Sequence, residues 1–481
     1  MIAAFFVPAV SFSQEISSPD ENITDSTSDR RTLNVTDESF VPNDKHSKYK
    51  VYGMGGGFIS ARGRIMLGED NQYASTNNDG TPRLFPADGY NIALETKLWA
   101  ALMFKEESML RAGGSVMFRY NDGRLYPIFH IDELYFKWRY PMGDIIIGRN
   151  ICSTFDPMLF GGPLDGIQLN LNVPFLNFRS FMGYTGFLGL FHPYNNPYTI
   201  TQYDRTYHED SNLALLEPEY NFIFNAEQAM RFFFCTDFDI YLAGIHINPY
   251  FLMQIDMSEM RLDDRPNNIN TINTFHLGLN NEGRIIDTLY YKINIVGMFG
   301  FNKDIPTGEI NRLLSCAFTS QLRYTFTKAG HSTLMLGYAF GLGNQISDED
   351  TNAFWADNYH RESNKFYYYG RFDGGYVLNP ILSNIHSISF RYQVTPVDKD
   401  RVKLSLYAGI YQTFKFWSDA AISFKGFESD NAVVGTEFDF GLNVNCMPVF
   451  TFGLDFGVLI PENGVLTMPI FRGGMSFVWT I

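Results

Sequence analysis

The chain has 481 residues, 45% of them hydrophobic and 16% aromatic, with 45 Phe, 28 Tyr and 41 Gly, and only 19% charged. A formal net charge of −15 excludes a general nucleic-acid binder, and so low a charged fraction is unlike an ordinary soluble surface. Cys152, Cys235, Cys316 and Cys446 lie far apart without CxxC or zinc spacing and read as free thiols, a disulfide being the alternative.

In chain order, residues 1–13 are an apolar stretch ending in small residues, Ser11-Phe12-Ser13. They read as the remnant of a signal peptide cleaved after Ser13, although no basic residue opens it. Residues 14–47 are rich in Ser, Asp, Thr and Asn with few large apolar side chains, the composition of a flexible leader. From Lys48 to Ile481 the texture changes to strand-like segments in which apolar and polar residues alternate. Leu134, Phe136, Trp138 and Tyr140 interleave with Glu133, Tyr135, Lys137 and Arg139. Phe318, Leu322, Tyr324 and Phe326 interleave with Thr319, Gln321, Arg323 and Thr325, and Ile388, Phe390, Tyr392 and Val394 with Ser387, Ser389, Arg391 and Gln393. Val434, Phe438, Phe440 and Leu442 interleave with Gly435, Glu437, Asp439, Gly441 and Asn443. A period of two puts each set on its own face.

The connectors separate a barrel from a soluble sandwich. Short turns recur at 105–108, 141–144, 328–330, 396–400 and 445–448. Between them lie long polar connections at 67–89, 121–130, 150–164, 185–228, 258–271, 301–313, 341–384, 416–431 and 460–470. Short and long connections alternate almost strictly, which marks outer-membrane barrels, with turns on the periplasmic side and loops outside. Nine long loops require eighteen strands, the last being Gly474–Ile481. Phe366–Val377 also has a strand pattern, but counting it breaks the parity; it is assigned to the loop 341–384, from which it can fold into the pore. No apolar run reaches the roughly 18 residues of a helical span, and only helices and closed barrels satisfy their backbone in lipid. Residues 48–481 are therefore expected to form one all-β transmembrane antiparallel barrel of about eighteen strands. Residues 14–47 then stand in the periplasm, too short for a folded plug. Trp138, Tyr140, Tyr324, Phe326, Tyr392 and Trp479 sit near strand ends, as girdle residues do.

With the polar faces taken as the lumen, thirteen basic residues line it: Arg62, Arg64, Lys97, Arg111, Arg119, Lys137, Arg139, Arg149, Arg179, Arg231, Arg323, Arg391 and Lys403. Five acidic ones join them: Glu95, Glu133, Glu437, Asp439 and Asp455. The acidic surplus falls in loops and leader, at Asp20, Glu21, Asp263, Asp264, Glu349 and Asp350. Rings of Arg and Lys favour anions, and the Arg fork meets a carboxylate with two hydrogen bonds. The expectation is a passive channel for an anionic small molecule or polysaccharide, embedded in outer-membrane lipid, with no cofactor. The competing reading is a general pore whose opposed charges brace the wall. A different class, an adhesin-like surface protein, would use loops 185–228 and 341–384.

Enzyme-like signals are weak. Glu437 and Asp439 lie two apart on one strand, whereas glycosidase carboxylates usually come from separate elements. Gly53–Gly57 precedes no helix or Gly-Lys-Ser/Thr. His386 and Ser387 are adjacent on a strand and face opposite sides. Asn77–Gly80 and Asp348–Asp350 lack the spacing of a calcium loop and read as solvated turns.

Three stretches, taken in order, carry a likeness. They are Asp132–Lys137 running to Ile147-Gly148-Arg149 and then Gly161–Leu169; Leu382–Ile385 after the longest loop; and Val434–Phe440 followed by Phe452–Pro461. Together they resemble the alginate-export family of outer-membrane porins, in patches over about 130–481. The resemblance implies an eighteen-stranded monomeric barrel with an electropositive lumen, with Arg149, Arg391, Glu437 and Asp439 at the constriction. Asn150 stands where that family commonly has Gln, and the chain ends in Ile481 rather than Phe.

Overall fold

The computed structural model describes residues 51–67, 74–76, 82–84, 89–104, 108–121, 124–154, 156–185, 231–242, 244–257, 270–304, 308, 310–326, 332–343, 366–370, 372–378, 380, 382–399, 401–418, 422, 431–446, 449–462 and 469–480. The expected signal remnant and leader, the Asn77–Gly80 and Asp348–Asp350 turns and the loop 185–228 lie outside this set, apart from Thr185.

Twenty strands follow one another. They are β1 (Val51–Leu67), β2 (Ala74–Thr76), β3 (Pro82–Leu84), β4 (Gly89–Phe104), β5 (Met109–Asn121), β6 (Arg124–Tyr140), β7 (Gly143–Ser153), β8 (Gly161–Val173), β9 (Leu176–Tyr184) and β10 (Arg231–Leu242). The rest are β11 (Ile245–Asp256), β12 (Asn270–Ile286), β13 (Leu289–Asp304), β14 (Ile310–Phe326), β15 (Ser332–Gly341), β16 (Ile385–Lys399), β17 (Val402–Lys415), β18 (Val433–Cys446), β19 (Phe450–Pro461) and β20 (Ile470–Thr480). Strands β2 and β3 form a separate small hairpin, and the other eighteen form one sheet. Each pairs antiparallel with its neighbours in sequence, and β1 pairs with both β20 and β4, so the sheet closes. Closure satisfies every edge, which an open sheet in lipid cannot do.

The two faces follow the alternation. On β6, Leu134, Phe136 and Trp138 stand exposed on the outside, and on β16 Ile388, Phe390 and Tyr392 do the same. With Leu98, Leu277, Ile295, Leu314, Leu336 and Leu454 they make an apolar belt around the barrel. Near the short-turn end, Trp138 packs edge-on to Tyr140 and Tyr324 to Phe326. Among the described residues, no helix is long and apolar enough to cross a membrane.

Some boundaries differ from the sequence expectation. Residues 124–130 belong to β6, and Asn121 already pairs with Arg124, so 121–130 is a tight hairpin rather than a long loop. Strands β13 and β14 likewise extend far into 301–313. Polar residues in these stretches resemble loop composition, but long strands carry the wall past the apolar belt into water. Strand β16 runs through Pro396 because a bulge between Val394 and Val397 absorbs the missing N–H. Strand β20 starts at Ile470, ahead of the expected Gly474. Strand count and parity are those expected.

Candidate functional site

The lumen is not empty. Two chain segments turn inward from the ends of strands and meet inside it. The first is 154–160, between β7 and β8. The second is 366–384, the later part of the connection from β15 to β16. The backbone of Phe160 bridges that of Tyr369, with Tyr369 N–H donating to Leu159 O at 2.7 Å. The strand pattern seen in Phe366–Val377 thus belongs to an inward segment, not to the wall.

The crossing segment 366–384 spans the lumen as a chord. At one end the Tyr369 hydroxyl donates to Gln254 Oε1 of β11 at 2.7 Å and lies 2.8 Å from Thr274 Oγ1 of β12. His276 Nε2 lies 2.8 Å from Tyr367 O. Phe366, Tyr369, Phe160, Phe233, Leu252 and Ile272 pack there as a dry cluster. At the other end, the segment docks on β18 to β20. Glu437 accepts the Val377 and Leu378 N–H groups, the second at 2.9 Å, and Asp439 accepts Tyr376 N–H at 2.9 Å. Arg472 of β20 donates to the carbonyls of Tyr376 and Val377 and lies under the Tyr376 ring. Inward-facing glycines make the room: a Cβ on Gly457 would lie 2.6 Å from Val377 Cγ2, and one on Gly474 2.1 Å from the Tyr376 hydroxyl.

The inward segment 154–160 is fixed by a polar chain. Asp156 accepts from Asn294 Nδ2 of β13 at 2.9 Å and pairs with Lys292 at 3.5 Å. The Tyr250 hydroxyl in turn donates to Asn294 Oδ1 at 2.7 Å.

Most of the expected basic lining faces inward but is paired. Arg111 bonds Glu133 and lies 4.3 Å over the Trp99 ring. Lys97 reaches Asp132 and Glu133, each at 3.6 Å. Lys137 pairs with Asp144 at 3.3 Å, and Lys403 approaches Asp398 at 3.9 Å. Arg231, fully buried, pairs with Asp256 at 2.9 Å. Arg179 donates to Ser153 O at 2.8 Å, and Arg323 lies 4.7 Å over Tyr290. Arg139 stands on the inward row of β6 beside the turn, its backbone N–H on Ser108 Oγ at 3.3 Å. Arg119 is on β5 opposite Tyr126, and its side chain lies outside the described set, as does that of Arg64. Arg391 of β16 meets Asp373 of the crossing segment at 2.9 Å and the Tyr411 hydroxyl of β17. Glu437 and Asp439 are buried under that segment rather than open to the pore.

Two corrections follow. Arg149 is not in the inward row: its register partners are Leu134 and Asp165, and it shares parity with the outward Ile147, Ile151 and Ile167. It closes on Asp165 at 3.3 Å. Polarity alone misplaces it, because a paired Arg–Asp row tolerates a position that a lone charge does not. Beside it Gly148 has φ +119°, and a Cβ there would strike the Leu134 carbonyl. The second correction concerns the balance of charge. Asp132, Asp144, Asp156, Asp237, Asp239 and Asp256 join the five acids expected to line the lumen, while Lys292, Lys415 and Arg472 join the bases, so the described lining carries both signs. Asp237 and Asp239 escape notice because the inward row of β10 also holds Phe233 and Cys235, both covered by the inward segments, so polar alternation fails there.

The other motifs resolve simply. Gly53–Gly57 is part of β1, paired with β4. His386 stacks on Phe414 at 5.0 Å between ring centroids, while Ser387 sits 3.3 Å from Thr413 Oγ1 on the opposite face. All four cysteines are free.

A closed eighteen-stranded antiparallel barrel with an apolar outer belt and aromatic strand ends has the architecture of a bacterial outer-membrane β-barrel. Solved structures share the fold: Pseudomonas aeruginosa OccK5 (OpdH) aligns with TM-score 0.52 at 10% identity, over 89% of this chain and 98% of that one. Pseudomonas aeruginosa OccK11 (OpdR) aligns with TM-score 0.51 at 10% identity, over 89% of this chain and 96% of that one. At such identity the likeness is one of fold. No protein-family model matches the chain, and no curated protein matches it. The barrel implied by the alginate-export resemblance is present, and the link to alginate itself has only the sequence patches behind it.

Proposed function

We propose that the chain is a passive, substrate-preferring outer-membrane channel, not an enzyme, that takes small carboxylated solutes or saccharides. One observation carries the reading: the lumen of a closed barrel is narrowed by a segment docked through its backbone, and guanidinium groups set against carboxylates stand beside it. Such sites select by exchange. A solute carboxylate takes the place of a wall carboxylate on an Arg fork, then passes on, because each contact it makes replaces an equal one. The mixed wall makes the preference for inorganic anions weak and places selectivity in the arginine sites. One chain closes its own ring, so a monomer suffices.

A surface-interaction role through the β15–β16 connection is disfavoured for its described part, because 366–384 is committed to the lumen. The test is reconstitution in a planar bilayer, with reversal potential in a salt gradient and added oligouronates. Stable channels blocked by the oligomer support the reading. Absence of conductance from a folded, inserted protein refutes it and favours the surface role.

A further inference from the structure

Among the described ion pairs, Arg391 differs from Arg111, Lys137, Arg231, Lys292 and Lys403 in the origin and exposure of its partner. Arg111, Lys137, Arg231 and Lys403 meet acids carried by strands of the wall. Lys292 meets Asp156 of the inward segment 154–160, and that carboxylate is buried and also held by Asn294. Asp373, by contrast, belongs to the crossing segment, and its side chain is 54% exposed while that of Arg391 is 17% exposed. The pair therefore sits at an accessible edge of the crossing segment, where a solute can reach Asp373.

The surroundings of Arg391 have the chemistry of a carboxylate site. Its guanidinium lies 5.8 Å from the ring centroids of both Tyr407 and Tyr411, and its Nη2 contacts the Tyr411 hydroxyl. Tyr407 is held in place by donating to Asp455 Oδ1 at 2.8 Å. A guanidinium fixed beside two tyrosine rings, with one of their hydroxyls on its Nη2, presents a planar group to an anion and an apolar flank to a sugar ring.

Resting on the channel reading above, we infer that Asp373 is a built-in competitor: it occupies the carboxylate site of Arg391 in the resting channel, and a solute carboxylate displaces it. Displacement removes the Arg391 contact from the crossing segment at Asp373 while Glu437, Asp439 and Arg472 still hold 376–378. The solute thus loosens one edge of the constriction as it binds, and Asp373 reclaims the site as the solute leaves. An exposed ion pair is weak, so the apparent affinity for solute is reduced only about two- to sixfold by the competitor. That range keeps release fast.

The test uses the full chain in planar bilayers, with galacturonate as the blocking probe and galactose as the uncharged control. In Asp373→Asn, the half-blocking concentration of galacturonate is expected to fall about two- to sixfold, with the response to galactose unchanged. In Arg391→Gln, block weakens, and adding Asp373→Asn has no further effect. An equal gain from Asp373→Asn in both backgrounds overturns the inference, since Asp373 would then act as a general wall charge. So does an unchanged half-blocking concentration, or a conducting channel that galacturonate blocks in neither wild type nor Asp373→Asn. In those cases the channel reading stands; absence of conductance in wild type is the separate result that removes it.

Discussion

Replacing Glu437 by Gln tests whether the crossing segment is held by the wall or merely rests against it. Glu437 takes two backbone amides, one on each carboxylate oxygen: Val377 N–H on Oε1 and Leu378 N–H on Oε2. Gln fills the same volume but has one acceptor oxygen, so its NH2 group must face one of these N–H donors. One charge-assisted bond is lost, about 1.5–3 kcal/mol, and a buried donor is left opposite another donor. Arg472 and the burial of Val377 and Leu378 remain, so the segment is not expelled outright. Its docked-to-undocked ratio should fall about 10- to 150-fold. Single-channel recording then shows excursions to a higher conductance level that are rare in wild type, and a protease added from outside cleaves within 366–384. Asp439→Asn is the internal control. Asp439 takes Tyr376 N–H, which an Asn oxygen can accept, and it also hydrogen-bonds Glu437, so its excursions should be clearly fewer than those of Glu437→Gln. A folded Glu437→Gln channel with wild-type dwell times and an uncleaved segment would refute this account of the docking.

Other perturbations address the rest of the architecture. Gly474→Val places a side chain against the Tyr376 hydroxyl and should also raise conductance, with Gly63→Val, where a Cβ meets open space, as the silent comparison. Asp256→Asn removes the carboxylate charge paired with the fully buried Arg231 and should cost about 3–5 kcal/mol, read as a lower urea midpoint for unfolding in detergent or vesicles. Leu336→Arg, at the middle of β15 on the outer belt, should cost about 2–4 kcal/mol in the same assay. Arg391→Glu combined with Arg323→Glu should move the reversal potential toward cation preference; an unchanged value would mean that these two arginines do not face the conducting path.

The fold was legible because two of its determinants are local. Alternation of Leu134, Phe136 and Trp138 with Glu133, Lys137 and Arg139 fixes which face of β6 meets lipid, and the rhythm of connections fixes the strand number. The length of a connection was less legible, because a strand that rises out of the membrane into water loses its apolar row: Arg124 and Asn121 pair as strand residues in a stretch that reads as loop. The candidate site was legible only in part. Arg391, Glu437 and Asp439 are recognisable as inward residues, and the alternation of Phe366–Val377 marks a segment able to enter the pore, but nothing in it reveals that Asp373 and the 376–378 amides would meet these three side chains.

The same reasoning explains why β10 to β13 have so apolar an inner surface. A barrel of eighteen strands is wide enough for water, and Phe233, Leu252, Ile272, Val296 and Met298 would be costly if they lined an aqueous bore. Their burial requires a cover, which the segments around Phe160 and Phe366–Tyr369 supply. The opposite wall, β16 to β20, presents Gly457, Gly474, Glu437, Asp439 and Arg472 instead, and holds the crossing segment by backbone hydrogen bonds. One end is thus fastened mainly by apolar burial, and the other by exchangeable polar contacts together with the burial of Val377 and Leu378. A disturbance of the polar end should let the segment swing while the apolar end stays anchored, so a cysteine pair that locks Tyr376 to β20 should suppress every excursion that Glu437→Gln produces. If the excursions persist in the locked protein, the movement lies elsewhere in the barrel.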